Sequence, residues 1–139
     1  MKSHATLIRL HKHRVDQRQK DVSRLSALRR DLEFKVGQIE EALIAERAAS
    51  QASAGGGAVY AAYAEGAALR RAELEAKLEG VDLELRDAHS ALAQAFHELK
   101  KFELLETLRL ADEKRQRDRR DQAAMDEIAI RQASRISQA

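Results

Sequence analysis

The chain has 139 residues, of which 35% are charged and 4% aromatic, with a net charge of +2 and neither cysteine nor proline. This composition excludes disulfide scaffolds and thiolate metal sites, and it is typical of long helices rather than of an enzyme core. The near-balanced charge does not indicate nucleic-acid binding, and we expect neither a membrane span nor a secretory signal because no apolar run is long enough.

The first fifty residues carry apolar side chains at heptad spacing, which predicts a helix over about 3–50. The stripe is interrupted by His11, Arg18 and Arg29. The aliphatic stems of the two arginines can cover apolar surface while their charged groups reach water. Its strong part consists of Val22, Leu25, Leu32, Val36, Ile39 and Leu43. A stripe this narrow predicts that another helix lies along it.

Positive charge is concentrated at the start of this helix. Residues 1–30 contain nine Lys or Arg and two Asp. This pattern is typical of a solvated helix face. It is also compatible with a patch that meets an acidic partner, or with a nucleic-acid binder whose affinity falls steeply with salt.

One convincing break interrupts the chain, at residues 48–58 with the sequence AASQASAGGGA. Three consecutive glycines disfavour a helix strongly, so we predict a loop over about 51–57 and an antiparallel return. Folding about residue 54 places Val22 opposite residue 86 and Leu43 opposite residue 65. A parallel homodimer through either stripe is the competing arrangement.

A second helix is predicted over about 58–134, with a second heptad stripe on its middle part. This stripe consists of Leu74, Leu78, Val81, Leu85, Leu92, Leu99 and Phe102. The predicted fold is therefore all-α: an antiparallel two-helix coiled-coil hairpin with a longer, overhanging second helix. Residues 1–139 are predicted to form a single coiled-coil domain.

Two segments of the second helix suggest contacts with partners. Tyr60 and Tyr63 are three residues apart and share a helix face, where they either pack over the loop or form an aromatic docking site. Residues beyond about 107 have no counterpart on the first helix. There Met125, Ile128 and Ala129 form a small apolar patch, which indicates either a docking element or a frayed end.

The residues do not form a recognisable catalytic, metal or cofactor site. Gly55–Gly57 lacks the strand and the lysine of a phosphate-binding loop. His89 and His97 have no His or carboxylate at the i+4 offset of helical zinc sites. We therefore predict that the protein is not an enzyme and has no catalytic residues, metal or cofactor.

Three segments together resemble the flagellar export protein FliJ family, especially as written in alphaproteobacteria. They are MKSHATLIRLHKHRVDQRQKDV at the start, ALAQAFHELKKFELLE at 91–106 and RDQAAMDEIAI at 120–130. Tyr60 and Tyr63 match a pair of aromatic residues that the family places just after its hairpin. The glycine-rich loop is simpler than the family's pattern, so contacts made by the loop are the least transferable.

The resemblance implies an antiparallel coiled coil, similar to the stalk of rotary ATP synthases, that has no activity of its own. It implies a cytoplasmic protein, peripheral to the inner membrane at the flagellar base. The implied partners are the ring of the export ATPase FliI, the export gate protein FlhA and export chaperones. Tyr60 and Tyr63 are the candidates for the gate, and the candidates for the ATPase are Arg9, Arg14, Met125, Asp126, Glu127 and Ile128.

Besides the nucleic-acid binder named above, two alternatives to this function remain open. One is a generic dimeric coiled-coil scaffold without an ATPase partner. The other is the equivalent stalk protein of a virulence type III secretion system.

Overall fold

The computed structural model of the protein describes residues 2–138, with side chains from His4 onward. These residues form two helices, α1 (Lys2–Gln51) and α2 (Gly56–Gln138), and no strand occurs among them. The predicted all-α class with two antiparallel packed helices is confirmed. The loop between the helices is shorter than predicted, because α2 already begins at Gly56, and α2 continues to Gln138.

The chain divides into two compact units, each containing part of both helices. Residues 13–96 form the loop unit, and residues 1–12 with 97–139 form the terminal unit. In the loop unit the buried side chains are Val15, Leu25, Leu32, Ala67 and Val81. Removing a Val or Leu side chain from water stabilises a fold by about 1.5–3 kcal/mol, so this short row of contacts supplies much of the pairing energy.

Both predicted stripes face inward in part. All thirteen of their residues named above are buried or half-buried, although none of the described large side chains is fully buried. This is expected for two helices, because each stripe is covered from one side only.

Two forked ion pairs align the helices of the loop unit. Arg29 Nε donates to Asp82 Oδ1 of α2 at 2.5 Å, while the same guanidinium also contacts Glu33 on α1. Arg71 Nη2 lies 2.7 Å from Glu40 Oε1 of α1, and its Nε donates to Glu75 on α2 at 2.9 Å. Each arginine therefore binds one carboxylate on its own helix and one on the facing helix.

These pairs correct the predicted register by three residues. Arg29 lies opposite Asp82, and the helices are antiparallel. Val22, seven residues before Arg29, therefore lies opposite residue 89, seven residues after Asp82, rather than opposite residue 86. By the same count Leu43 lies opposite residue 68 rather than 65. The prediction placed the centre of the turn slightly too early in the chain, and every pairing moved with it.

The turn requires two of the three glycines. Gly55 has φ +80°, in the left-handed region that only glycine adopts without strain. A Cβ on Gly56 would lie 2.3 Å from the carbonyl oxygen of Ser50, which is closer than any side chain allows. A Cβ on Gly57 would meet nothing within 4 Å. The turn therefore depends on Gly55 for its conformation and on Gly56 for the close approach of α2 to the end of α1.

In the terminal unit, a histidine belongs to the buried stripe. His11 is 6% exposed and its ring stacks on Phe102, with 4.6 Å between centroids and 18° between the ring planes. The interpretation of His11 as an interruption was wrong, because the flat imidazole packs as an aromatic side chain would. Its Nδ1 atom is buried and has no hydrogen-bond partner among the described residues. Arg18, by contrast, is exposed and pairs with Asp21 on the same helix at 3.6 Å.

The last part of α2 is helical but uncovered. All residues from 111 to 138, here called the C-terminal extension, are exposed. Local ion pairs and hydrogen bonds at i+3 and i+4 line this surface, for example Arg131 to Glu127 at 2.9 Å and Gln122 to Asp126 at 3.0 Å.

Replacement of Val81 by Asp should destabilise the hairpin. Val81 is 6% exposed and packs between the helices, so a carboxylate there would lose its water without gaining a partner. We expect the free energy of unfolding to fall by about 3 kcal/mol or more, measured by chemical denaturation followed by circular dichroism.

Leu83→Asp is the matched control, because Leu83 is 57% exposed on the same helix. Its stability should change by less than about 1 kcal/mol. If both variants unfolded at the same denaturant concentration, Val81 would not lie in the interface between the helices.

Candidate partner-binding surfaces

A charged cluster lies beside the buried stripe of the terminal unit. Glu106 and Arg109 occupy the positions at which the heptad pattern of α2 loses its apolar residues, and both are half-buried. Arg109 donates twice to Glu106, at 2.7 and 3.0 Å, and once to Glu113 at 2.7 Å. His4 Nδ1 of α1 lies 3.8 Å from Glu106 Oε2, so this carboxylate lies beside α1.

The cluster changes the acid–base properties of its members. The hydrogen bonds from Arg109 lower the pKa of Glu106 below its ordinary value of 4.5, against an opposing effect of partial burial. The same bonds raise the pKa of Arg109 above its ordinary value. Glu106 is therefore charged at neutral pH and is held by Arg109 of its own helix.

The predicted ATPase-contact residues of the C-terminal extension are all accessible. Met125 is 66% and Ile128 54% exposed, and they are three residues apart on one helix face. Asp126 accepts from Gln122, and Glu127 pairs with Arg131. Sequence reasoning missed two further apolar side chains on this extension, Ile130 and Ile136, which are 69% and 78% exposed.

The remaining predicted ATPase-contact residues fall into different units. Arg9 belongs to the terminal unit and Arg14 to the loop unit, and both are exposed. Neither forms an ion pair with a described residue. Four further leucines of α2 in the terminal unit are exposed: Leu104, Leu105, Leu108 and Leu110.

Tyr60 and Tyr63 are half-buried and line two different hollows of the loop unit. Tyr60 lies with Val59 beside the turn, in a hollow of about 240 Å³. Tyr63 lines a groove of about 420 Å³ between the two helices, and the guanidinium of Arg70 lies 5.9 Å from the centre of its ring. The two tyrosines thus do not line one shared hollow.

Neither described helix has a stretch apolar enough to cross a membrane. Within residues 2–138, no three His, Asp or Glu side chains converge as a metal site would require.

Comparison with known proteins identifies the family. A family model described as "Flagellar FliJ protein" matches residues 1–137. The chain belongs to the FliJ family. Flagellar FliJ proteins from two strains of Caulobacter vibrioides, NA1000 and CB15, are each 30% identical over 131 residues, which cover 94% of both chains. No solved structure matches the chain. As a FliJ protein, the chain is a component of the flagellar export apparatus.

Sequence reasoning missed the residues that form contacts between the two helices. The pairs Arg29–Asp82 and Glu40–Arg71 could have been found by searching for opposite charges that fall opposite one another in a single register. The stack of His11 on Phe102 gave no comparable signal, because a histidine in a heptad stripe is usually polar and solvated.

The titration of Glu106 should depend on Arg109. In the parent protein its carboxyl pKa should lie below 4.5, so its contribution to stability is present above that pH and is lost as the pH falls through the lowered pKa. In R109Q the hydrogen bonds are lost and the pKa should rise toward 4.5. The measurement is an NMR titration of the side-chain carboxyl carbons.

R131Q is the control, since it removes an ion pair of the same kind from the C-terminal extension. It should leave the titration of Glu106 unchanged. An unshifted Glu106 pKa in R109Q would show that Arg109 does not hold the carboxylate in solution.

Proposed function

We propose that this FliJ protein is a non-enzymatic, stalk-like adaptor of the flagellar export apparatus, whose C-terminal extension engages the ring of the export ATPase FliI and promotes its assembly and activity. One observation carries the proposal: α2 stays helical through Gln138 while every residue from 111 to 138 is exposed. The identity of the partner rests on the resemblance to the family.

The chemistry of the extension suits a helix that docks in a groove of another protein. A solitary helix gains stability mainly from packing, and this one offers apolar side chains without any covering helix. Met125 and Ile128 would supply apolar anchors at i and i+3. Asp126 and Glu127, held by Gln122 and Arg131, would supply ordered charges beside them. Arg9 and Arg14 are proposed as separate further contacts with the ATPase, each as an exposed cation of its own unit.

The export gate protein FlhA is the second proposed partner, with Tyr60 and Tyr63 as its contact residues. Half-buried tyrosines suit this role, because a rigid aromatic ring offers a large contact area at a low cost in conformational entropy. Export chaperones are further proposed partners, and delivery of their substrates to the gate is the proposed outcome. These contacts would hold the protein in the cytoplasm, peripheral to the inner membrane at the flagellar base.

The double variant M125A/I128A should stimulate the ATPase less than the parent does. Alanine keeps the helix but removes both anchors, and truncating interface anchors typically costs about 1–2 kcal/mol each. We expect the concentration needed for half-maximal stimulation of ATP turnover by purified FliI to rise by about tenfold or more.

F34A is the matched control, because Phe34 of α1 is 65% exposed and is a large apolar side chain as well. Its stimulation curve should overlay that of the parent. If saturating parent protein left ATP turnover unchanged, the adaptor function would be wrong. If the parent stimulated turnover and the double variant did so equally well, the contact would lie elsewhere on the chain.

Replacement of Tyr60 by Ala should weaken binding to the cytoplasmic part of the gate. Tyr60 lines the hollow beside the turn with Val59, so its loss removes contact area while α2 retains its helix. We expect the dissociation constant, measured by calorimetry, to rise about tenfold, with unchanged circular dichroism. I44A, at a 71% exposed site on α1, should bind like the parent; equal affinity of Y60A and I44A would remove Tyr60 from the contact.

A further inference from the structure

We propose that the groove beside Tyr63 binds an acidic peptide segment that carries an apolar anchor residue. The proposal deepens the docking role assigned above to Tyr63, on which it rests, by naming the chemistry of the partner. The groove lies in the loop unit and has a volume of about 420 Å³.

The floor of the groove is apolar and is built by both helices. Ile39 and Ala42 come from α1, and Leu74 comes from α2, and all three are half-buried. Tyr63 forms one end of this surface. The volume lies within the range of about 300–1,000 Å³ that is usual for ligand sites, and it accommodates a large aliphatic or aromatic side chain.

The rim of the groove is positively charged. Lys35, Arg70 and Lys77 line it together with one carboxylate, that of Glu73. Lys35 already pairs with Asp31 at 3.1 Å. Arg70 is placed against the Tyr63 ring, and neither Arg70 nor Lys77 forms an ion pair with a described residue.

These two cations differ from the two arginines that align the helices of the loop unit. Arg29 and Arg71 each pair with two carboxylates, which already neutralise the charge of the guanidinium. Arg70 and Lys77 retain their capacity for charge-assisted hydrogen bonds beside an apolar floor. A ligand that pairs with both cations and also covers the apolar floor carries carboxylates on either side of an apolar side chain.

The length of the groove favours a peptide over a small anion. Tyr63 and Lys77 are fourteen residues apart on α2, which corresponds to about 21 Å along the helix axis. A helical segment of about four turns spans this distance. A small anion would use the cations and leave the apolar floor in water.

The experiment uses the full chain with Tyr60 replaced by Phe. The chain contains two tyrosines and no tryptophan, so Tyr63 is then the only tyrosine, and its fluorescence reports on the groove. The probe is a synthetic helical peptide of about sixteen residues without aromatic groups, in which a leucine is flanked by glutamates four residues before and after it. Titration should change the Tyr63 emission saturably, and added salt should weaken binding.

Three comparisons test the chemistry. A peptide with Gln in place of Glu, and one with Ala in place of Leu, should each bind at least about tenfold more weakly. R70E/K77E in the protein should do the same, because both cations are exposed and Glu preserves the helix. R117E/R120E is the matched control: it makes the same charge change in the C-terminal extension, and it should bind the probe like the parent.

The outcomes separate this proposal from the function proposed above. Equal binding of the Glu and Gln peptides, or equal loss in R70E/K77E and R117E/R120E, would overturn the groove as an acidic-peptide site. So would protection of Tyr63 by a second copy of the chain, seen as dimerisation that R70E/K77E abolishes. If the parent bound the probe but not the gate, the groove would be an acidic-peptide site and the gate assignment would be wrong. If the parent bound the gate but not the probe, the gate assignment would hold and the acidic-peptide site would be wrong.

Discussion

The structure depends on one constraint: the apolar stripe of α1 can leave water only by lying against the stripe of α2. Neither stripe is wide enough to be covered on more than one side, so most of its residues end half-buried. Five side chains in the loop unit and two in the terminal unit carry the deepest burial. Long helices of this kind are marginal in isolation, and pairing is what stabilises them.

The charges at the edges of the stripes follow from the same constraint. Arg29 and Arg71 lie beside the apolar contacts, where each guanidinium reaches both helices at once. Hydrogen bonding to Asp82 raises the pKa of Arg29, and hydrogen bonding to Glu75, with the nearby Glu40, raises that of Arg71. Exposed ion pairs add little stability, so their main effect is on alignment. Where the apolar stripe of α2 ends, Glu106 lies 3.8 Å from His4 Nδ1 of α1.

The sequence was sufficient for the elements and insufficient for the contacts between them. Heptad spacing located Leu25, Leu32 and Val81 because a period of 3.5 is a local property. The register depended on where the turn is centred, and a run of three glycines does not say which of them adopts a positive φ. The burial of His11 depends on Phe102, which is far away in the chain. The separation of Tyr60 from Tyr63 likewise depends on the hollows that the two helices form together.

The forked ion pairs also determine how the helices of the loop unit could slide. If α2 slipped by one heptad so that Arg29 met Glu75, Arg71 would meet Glu33, and both arginines would still face carboxylates. A slip in the other direction would bring Arg71 against Arg47. Charge therefore disfavours sliding in one direction only. The permitted slip would move the bend about half a heptad back, onto Ala48–Gln51, where a left-handed residue with a side chain costs about 1–2 kcal/mol. The position of Gly55 and Gly56 therefore disfavours the slip that the charges allow.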